Sequence, residues 1–190
     1  MLAGHPALDL ANTLHQRKSQ HLDFIPDYES LVEWCVPAQL LKQSEAQTLL
    51  ELAKKNAVMA GKFHQQWVEL RFSFKLWLQG GNHDATQTSE KIGLIKKIGA
   101  VTATAQLRDL VPNSDALNID LPLLRCAVEI WRLVEFPTAA KVRMCEADQC
   151  GGFFLDESRA KPRRWCSMDS CGNRIKAARH RHQNQTTDPR

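Results

Sequence analysis

The chain has 190 residues, of which 43% are hydrophobic, and a formal net charge of +4. That length supports one domain with a real core plus a small appendage. No run approaches the ~18–20 consecutive apolar residues of a membrane-spanning helix, so a helical membrane protein is excluded and no membrane partner is expected. The start, Met1–Pro6, lacks a basic stretch followed by an apolar run, so a cytoplasmic protein with reduced thiols is expected.

Hydrophobic periodicity predicts a mainly helical first ~140 residues. Apolar residues at 7, 8, 10, 11 and 14 predict a short helix from Pro6. Asp27 is placed to cap a second helix carrying Leu31, Val32, Trp34 and Cys35, with Pro37 as its stop. Ser44-x-x-Gln47 reads as a capping box before Leu49, Leu50, Leu52, Ala53, Val58 and Met59, with a break or bend expected at Gly61. Phe63, Trp67, Leu70, Phe74, Trp77 and Leu78 recur every three to four residues and define a buried face, and Gly80-Gly81-Asn82 marks its stop. A further helix is predicted over 86–103. Leu107–Val111 and Ala116–Asp120, joined through Pro112-Asn113-Ser114, predict a small β-hairpin. Leu121–Val134 reads as a buried helix with Pro122 in its first turn, and Pro137 punctuates the boundary to the tail.

The tail carries the chemistry. Cys145-x4-Cys150 and Cys166-x4-Cys171 are two close pairs flanking a loop that ends in Arg163-Arg164-Trp165. Each pair bends around a metal and the loop returns the second pair to it, which suits one tetrahedral zinc ion held by four thiolates. Such a set is closed, which argues for a structural Zn2+ and against a catalytic one, where a position stays open for water. The alternative is free or disulfide-bonded cysteines. Gly151 and Gly152 allow the backbone to reverse after the first pair. Phe153-Phe154-Leu155 reads as a strand, Lys161-Pro162 as part of a return loop, and 172–179 as a helix, giving a treble-clef-like unit of β-hairpin plus helix. With so small a core, metal binding would supply much of its folding free energy. Cys35 and Cys126 lie in apolar helical patterns and read as buried hydrophobes. His180 and His182 lie past the closed set, among arginines.

Residues 141–190 hold eleven Lys/Arg against six Asp/Glu, a charge of +5, while the other 140 residues sum to −1. This asymmetry points to a polyanionic partner for the tail. Arg163, Arg164, Arg174, Lys176, Arg179 and Arg181 are the candidate DNA-binding residues, because arginine forks match phosphate oxygens and the guanine edge. Arg163 and Arg164 alternatively stabilise the thiolates. Trp165 reads as a hydrophobic plug rather than a base-stacking surface. Asn173 reads as a local hydrogen-bonding residue rather than an adenine reader.

The run Cys145…Cys150-Gly…Phe154-Leu-Asp156-x-Ser158…Arg163-Arg-Trp-Cys-Ser-Met168…Cys171-Gly-Asn-Arg174-x-Lys176 closely resembles the bacterial CGNR zinc-finger family. Gly4…Leu8-Asp9-Leu10-Ala11-Asn12-Thr13…Arg17 resembles the opening of the helical ABATE-type domain. Together these resemblances imply a helical N-terminal domain followed by a zinc-bound finger, and a transcription regulator that the family describes as stress-related. Gly152 departs from the finger's pattern, standing where a bulkier residue is expected. The domain reading is 1–138 helical, 139–183 finger and 184–190 polar tail.

No Walker loop, Rossmann glycine fingerprint, G-x-S-x-G elbow or H-E-x-x-H motif is present, so the reading is a non-enzyme. Asp9 and Asn12 share one face of the first helix. They are candidates for a small-molecule effector pocket, or else they hydrogen-bond buried backbone. The expected function is a zinc-dependent regulator that binds double-stranded DNA. The alternative is a zinc-stapled protein-interaction or RNA-binding module. A homodimer is expected on linkage grounds, because one small finger offers little contact area.

Overall fold

The computed structural model describes residues 3–17, 20–80, 88–103, 117–148, 150–159 and 161–178. Its helices are α1 (Pro6–Asn12), α2 (Tyr28–Cys35), α3 (Gln43–Lys55), α4 (Ala57–Gln79), α5 (Ser89–Thr102) and α6 (Leu121–Glu135). The predicted mainly helical architecture is therefore found. Among the described residues no helix is long and apolar enough to cross a membrane.

The long helix α4 is the axis of the fold and touches α1, α2, α3, α5 and α6. Its predicted face is the one that is buried, through Trp67, Leu70, Phe74, Trp77 and Leu78. Cys35 and Cys126 are also buried, and burial raises the Cys35 thiol well above its ordinary range. Asp27 caps α2 by accepting from the Ser30 amide at 2.8 Å.

Two local expectations are corrected. Helix α3 begins before Ser44, because the Glu45 carboxylate accepts from the Lys42 amide at 2.7 Å and Lys42 is the capping position. The break between α3 and α4 falls at Asn56, whose side chain caps α4, and α4 runs straight through Gly61.

The hairpin of the helical unit also lies elsewhere. Residues 117–120 lead into α6 without forming a strand, and Leu107–Val111 lie outside the described residues. The observed hairpin pairs β1 (Leu14–Arg17) with β2 (Gln20–Asp23), Leu14 opposite Asp23. Polar tethers to α4 hold it. The buried Arg71 guanidinium donates to Thr13 Oγ1 at 3.0 Å and to Asp23 Oδ1 at 2.7 Å, and lies 4.1 Å over the Trp67 ring. Lys75 donates to the Leu14 carbonyl.

A second hairpin follows α6 and a short 3-10 turn (Pro137–Lys141). In it β3 (Val142–Met144) pairs antiparallel with β4 (Phe153–Leu155), Val142 opposite Leu155. Strand alternation divides β4 between two cores. Phe153 and Leu155 join Val142 in the main helical core, while Phe154 belongs to a separate small core with Cys145, Ala147 and Cys171.

One buried ion pair closes α3 onto α6. Arg125 donates to both Glu45 carboxylate oxygens, at 2.9 and 2.8 Å, and to the Leu40 carbonyl at 2.7 Å. Burial alone would raise the Glu45 carboxyl. The hydrogen bonds from Arg125 and from the Lys42 amide outweigh burial and hold it below its ordinary 4.5. Because the folded group titrates lower than the unfolded one, the pair's contribution is present above pH 4.5 and is lost as the pH falls further. Replacing Glu45 with Gln removes one partner of a buried pair and is expected to cost about 3 kcal/mol in urea unfolding at neutral pH. The difference from the unsubstituted chain should shrink on acidification.

Candidate metal centre

The small core is built around four sulfurs. Cys145 sits directly after β3 and Cys150 just before β4. Their amides are fixed by Gly152 and Ala147 carbonyls, each at 2.8 Å. Gly151 has φ +62, a left-handed conformation that glycine adopts without a Cβ clash, as the expected reversal requires. The second pair comes from the return loop. Cys166 precedes a π-helical turn (Met168–Gly172) that holds Cys171, and residues 173–178 continue as α-helix. Glu146 N–H donates to the Arg164 carbonyl at 2.9 Å, which joins the two halves beside the sulfurs.

The four Sγ atoms all lie within 4.8 Å of one another. Cys150 and Cys166 are 3.7 Å apart, and Cys166 and Cys171 are 3.6 Å apart. These spacings are far longer than the ~2.05 Å of a disulfide. They match the ~3.8 Å edge of a tetrahedron with ~2.3 Å metal–sulfur bonds. The Cys166 amide donates to Cys145 Sγ at 3.4 Å and the Arg174 guanidinium to Cys171 Sγ at 3.1 Å.

The protonation of the cluster fits the same reading. Burial drives the Cys150 thiol up to about 11, and burial with the neighbouring sulfurs raises Cys166 as well. At Cys171 burial also acts upward, but hydrogen bonds from Cys150, Cys166 and Cys145 outweigh it and lower that thiol. Four thiolates cannot share so small a space without a cation, and a bound divalent metal supplies that charge as the protons leave. Cys145, Cys150, Cys166 and Cys171 thus fit a metal ion by number, spacing and chemistry.

Two family models match in the order the sequence implied: the CGNR zinc finger over residues 141–184, and ABATE, described as "Putative stress-induced transcription regulator", over residues 4–131. The chain belongs to the ABATE family. No curated protein matches it.

The ABATE unit and the CGNR finger are stitched together by residues of both. The Asn12 side-chain amide donates to the Phe153 carbonyl and accepts from the Phe153 amide, each at 2.8 Å. The Leu155 amide donates to the Ala3 carbonyl at 2.8 Å. The Gly152 departure is explained here. A Cβ at that position would lie 3.3 Å from Cys150 Sγ and 3.5 Å from Asn12 Oδ1, so glycine leaves room for the Asn12 amide against the metal knuckle.

Of the two residues placed in an effector pocket, Asn12 thus holds β4, and Asp9 accepts from the Ala3 amide at 3.1 Å. Both make the backbone contacts that were the alternative. Three clefts on the helical unit, of about 380, 340 and 180 Å³, are lined by other residues.

The basic residues divide in a way sequence did not show. Arg163 is turned onto the finger: its guanidinium lies 4.8 Å over the Phe154 ring, 3.5 Å from Asp156, and donates to the Leu155 carbonyl. Arg164 donates to Glu146 at 2.6 Å on the exposed surface. Lys176 is exposed, while Arg179 and Arg181 lie outside the described residues. Trp165 packs half-buried against the small core of Cys145, Ala147, Phe154 and Cys171, as a plug would. The Asn173 side chain donates to the Asp169 carbonyl at 3.4 Å, a local contact.

Sequence reading missed Asp156 as the organiser of the return loop. It accepts from the Ser158 hydroxyl at 2.7 Å and the Arg163 amide at 2.9 Å, and lies 3.3 Å from Arg143. The Ser158 hydroxyl above all holds its carboxyl down to about 2. The signal was present in Asp156-x-Ser158, a pattern in which a short carboxylate captures groups two residues on.

Asn12→Ala removes two partly buried hydrogen bonds between the units. It is expected to cost the metal-loaded protein about 2 kcal/mol in urea unfolding. An unchanged midpoint would contradict the stitching role.

Proposed function

We propose that the protein is a zinc-dependent transcription regulator whose finger binds double-stranded DNA. In this reading one structural Zn2+ is held by Cys145, Cys150, Cys166 and Cys171. The ABATE unit serves as an effector or dimerisation half, in the cytoplasm, with no catalytic role. The observation that supports DNA binding most is the surface around the cluster. Among the described residues from 159 to 178, Arg159, Lys161, Arg163, Arg164, Arg174 and Lys176 are all exposed, and Asp169 is the sole acid. Such one-signed density on a small unit favours an anionic polymer.

Arg164 and Lys176 are the described residues best placed to reach phosphates. Lys176 is exposed on the helix that follows Cys171. Arg164 trades an exposed ion pair with Glu146, which contributes little in water, for a phosphate oxygen. Arg179 and Arg181 extend the same basic run in sequence. Double-stranded DNA is favoured over RNA because the plug position of Trp165 leaves no described aromatic ring on this surface for stacking unpaired bases.

With ~5 phosphate contacts, log K should fall against log salt with a slope near −4.5, read by fluorescence anisotropy of a labelled duplex. Lys176→Ala should flatten that slope by about 0.9 while leaving the metal bound. A flat salt response of the metal-loaded protein would contradict the reading, and tighter binding to single-stranded RNA would favour the RNA module instead.

A further inference from the structure

We propose that Arg174 works inward, as the counter-charge and positioning residue of the Cys171 thiolate, rather than outward as a DNA contact. The inference rests on the zinc reading above but not on the DNA reading.

A divalent cation with four thiolates carries a net charge of −2, so its sulfurs need donors around them. A backbone amide serves one of them: the Cys166 N–H reaches Cys145 Sγ at 3.4 Å. Cys171 instead has the cationic side chain of Arg174 at 3.1 Å. The helix explains the pairing. Cys171 lies in the π-helical turn and residues 173–178 continue it, so a side chain three residues on lies over the same face. The guanidinium combines charge with directed N–H groups, and a donor to a charged acceptor is about twice as strong as a neutral one.

The basic residues of the finger therefore do separate jobs. Arg163 braces Phe154 and Asp156, Arg174 braces Cys171, and Lys176 is left facing solvent. An N–H group directed at the thiolate is one fewer of the guanidinium's five donors left for a phosphate. The presence of Arg in Cys171-Gly-Asn-Arg174 then follows from the metal site.

The test uses the full metal-loaded chain with Arg174→Gln, Arg174→Lys and, as a surface control, Lys176→Gln. Zinc loss to a chromogenic chelator is timed, and the sulfur-to-metal charge-transfer band is recorded after Co(II) replaces zinc. Arg174→Gln is expected to speed zinc loss about tenfold, the lower end of the range for groups that hold metal ligands, and to shift the Co(II) band. Arg174→Lys should fall closer to the unsubstituted protein, and Lys176→Gln should change neither. Equal release rates and bands for Arg174→Gln and the unsubstituted chain would overturn the proposal. So would a loss of duplex affinity in Arg174→Gln with both metal readouts unchanged. If the unsubstituted chain binds no duplex at all, the DNA reading fails while the metal readouts still decide this one.

Discussion

Four sulfurs held within 4.8 Å of one another are the constraint on which the C-terminal finger depends. Among the described residues the finger has only a small core of its own. Its private core is Cys145, Ala147, Phe154 and Cys171, with Trp165 and Ile175 at the edge. Removing that little apolar surface from water cannot offset the ordering of some thirty residues. In the proposed zinc reading metal–thiolate bonds would, because the unfolded chain has no preformed site and the binding free energy becomes folding free energy.

The contacts of the cysteine cluster do not stop at the finger. Strand β4 is three residues long, and its alternation sends Phe153 and Leu155 into the helical core and Phe154 onto the metal core. The hairpin is thus a shared wall. Asn12 grips its backbone from α1, and a side chain at Gly152 would press on both Cys150 Sγ and Asn12 Oδ1. Order at the thiolates and order at the first helix of the ABATE unit are linked through these contacts.

Much of this was legible in the sequence. The period of Trp67, Leu70, Phe74 and Trp77 located the central helix, because burial against five neighbours imposes one apolar face. The paired cysteines and the glycine reversal located the metal site, because few other structures need that spacing. The β1–β2 hairpin was not legible. His15, Gln16, Arg17 and His21 make it polar, and it is held by Arg71 and Lys75 from ~55 residues away, a pairing no local pattern records. The dual burial of β4 was hidden for a related reason. Phe153-Phe154-Leu155 is apolar throughout, so the run reveals a strand but not that its two faces belong to different cores. Arg174 was given an outward role and Asn12 was left between a pocket and a backbone contact, because sequence cannot show that a sulfur or a carbonyl already faces them.

The central claim is that Cys145, Cys150, Cys166 and Cys171 together hold one metal ion that folds the finger. Zinc K-edge X-ray absorption on natively purified protein tests it most directly. The account predicts one zinc per chain with four sulfur neighbours at ~2.3 Å and no nitrogen or oxygen in the coordination sphere. Substoichiometric metal, or a sphere with fewer than four sulfurs, would contradict it.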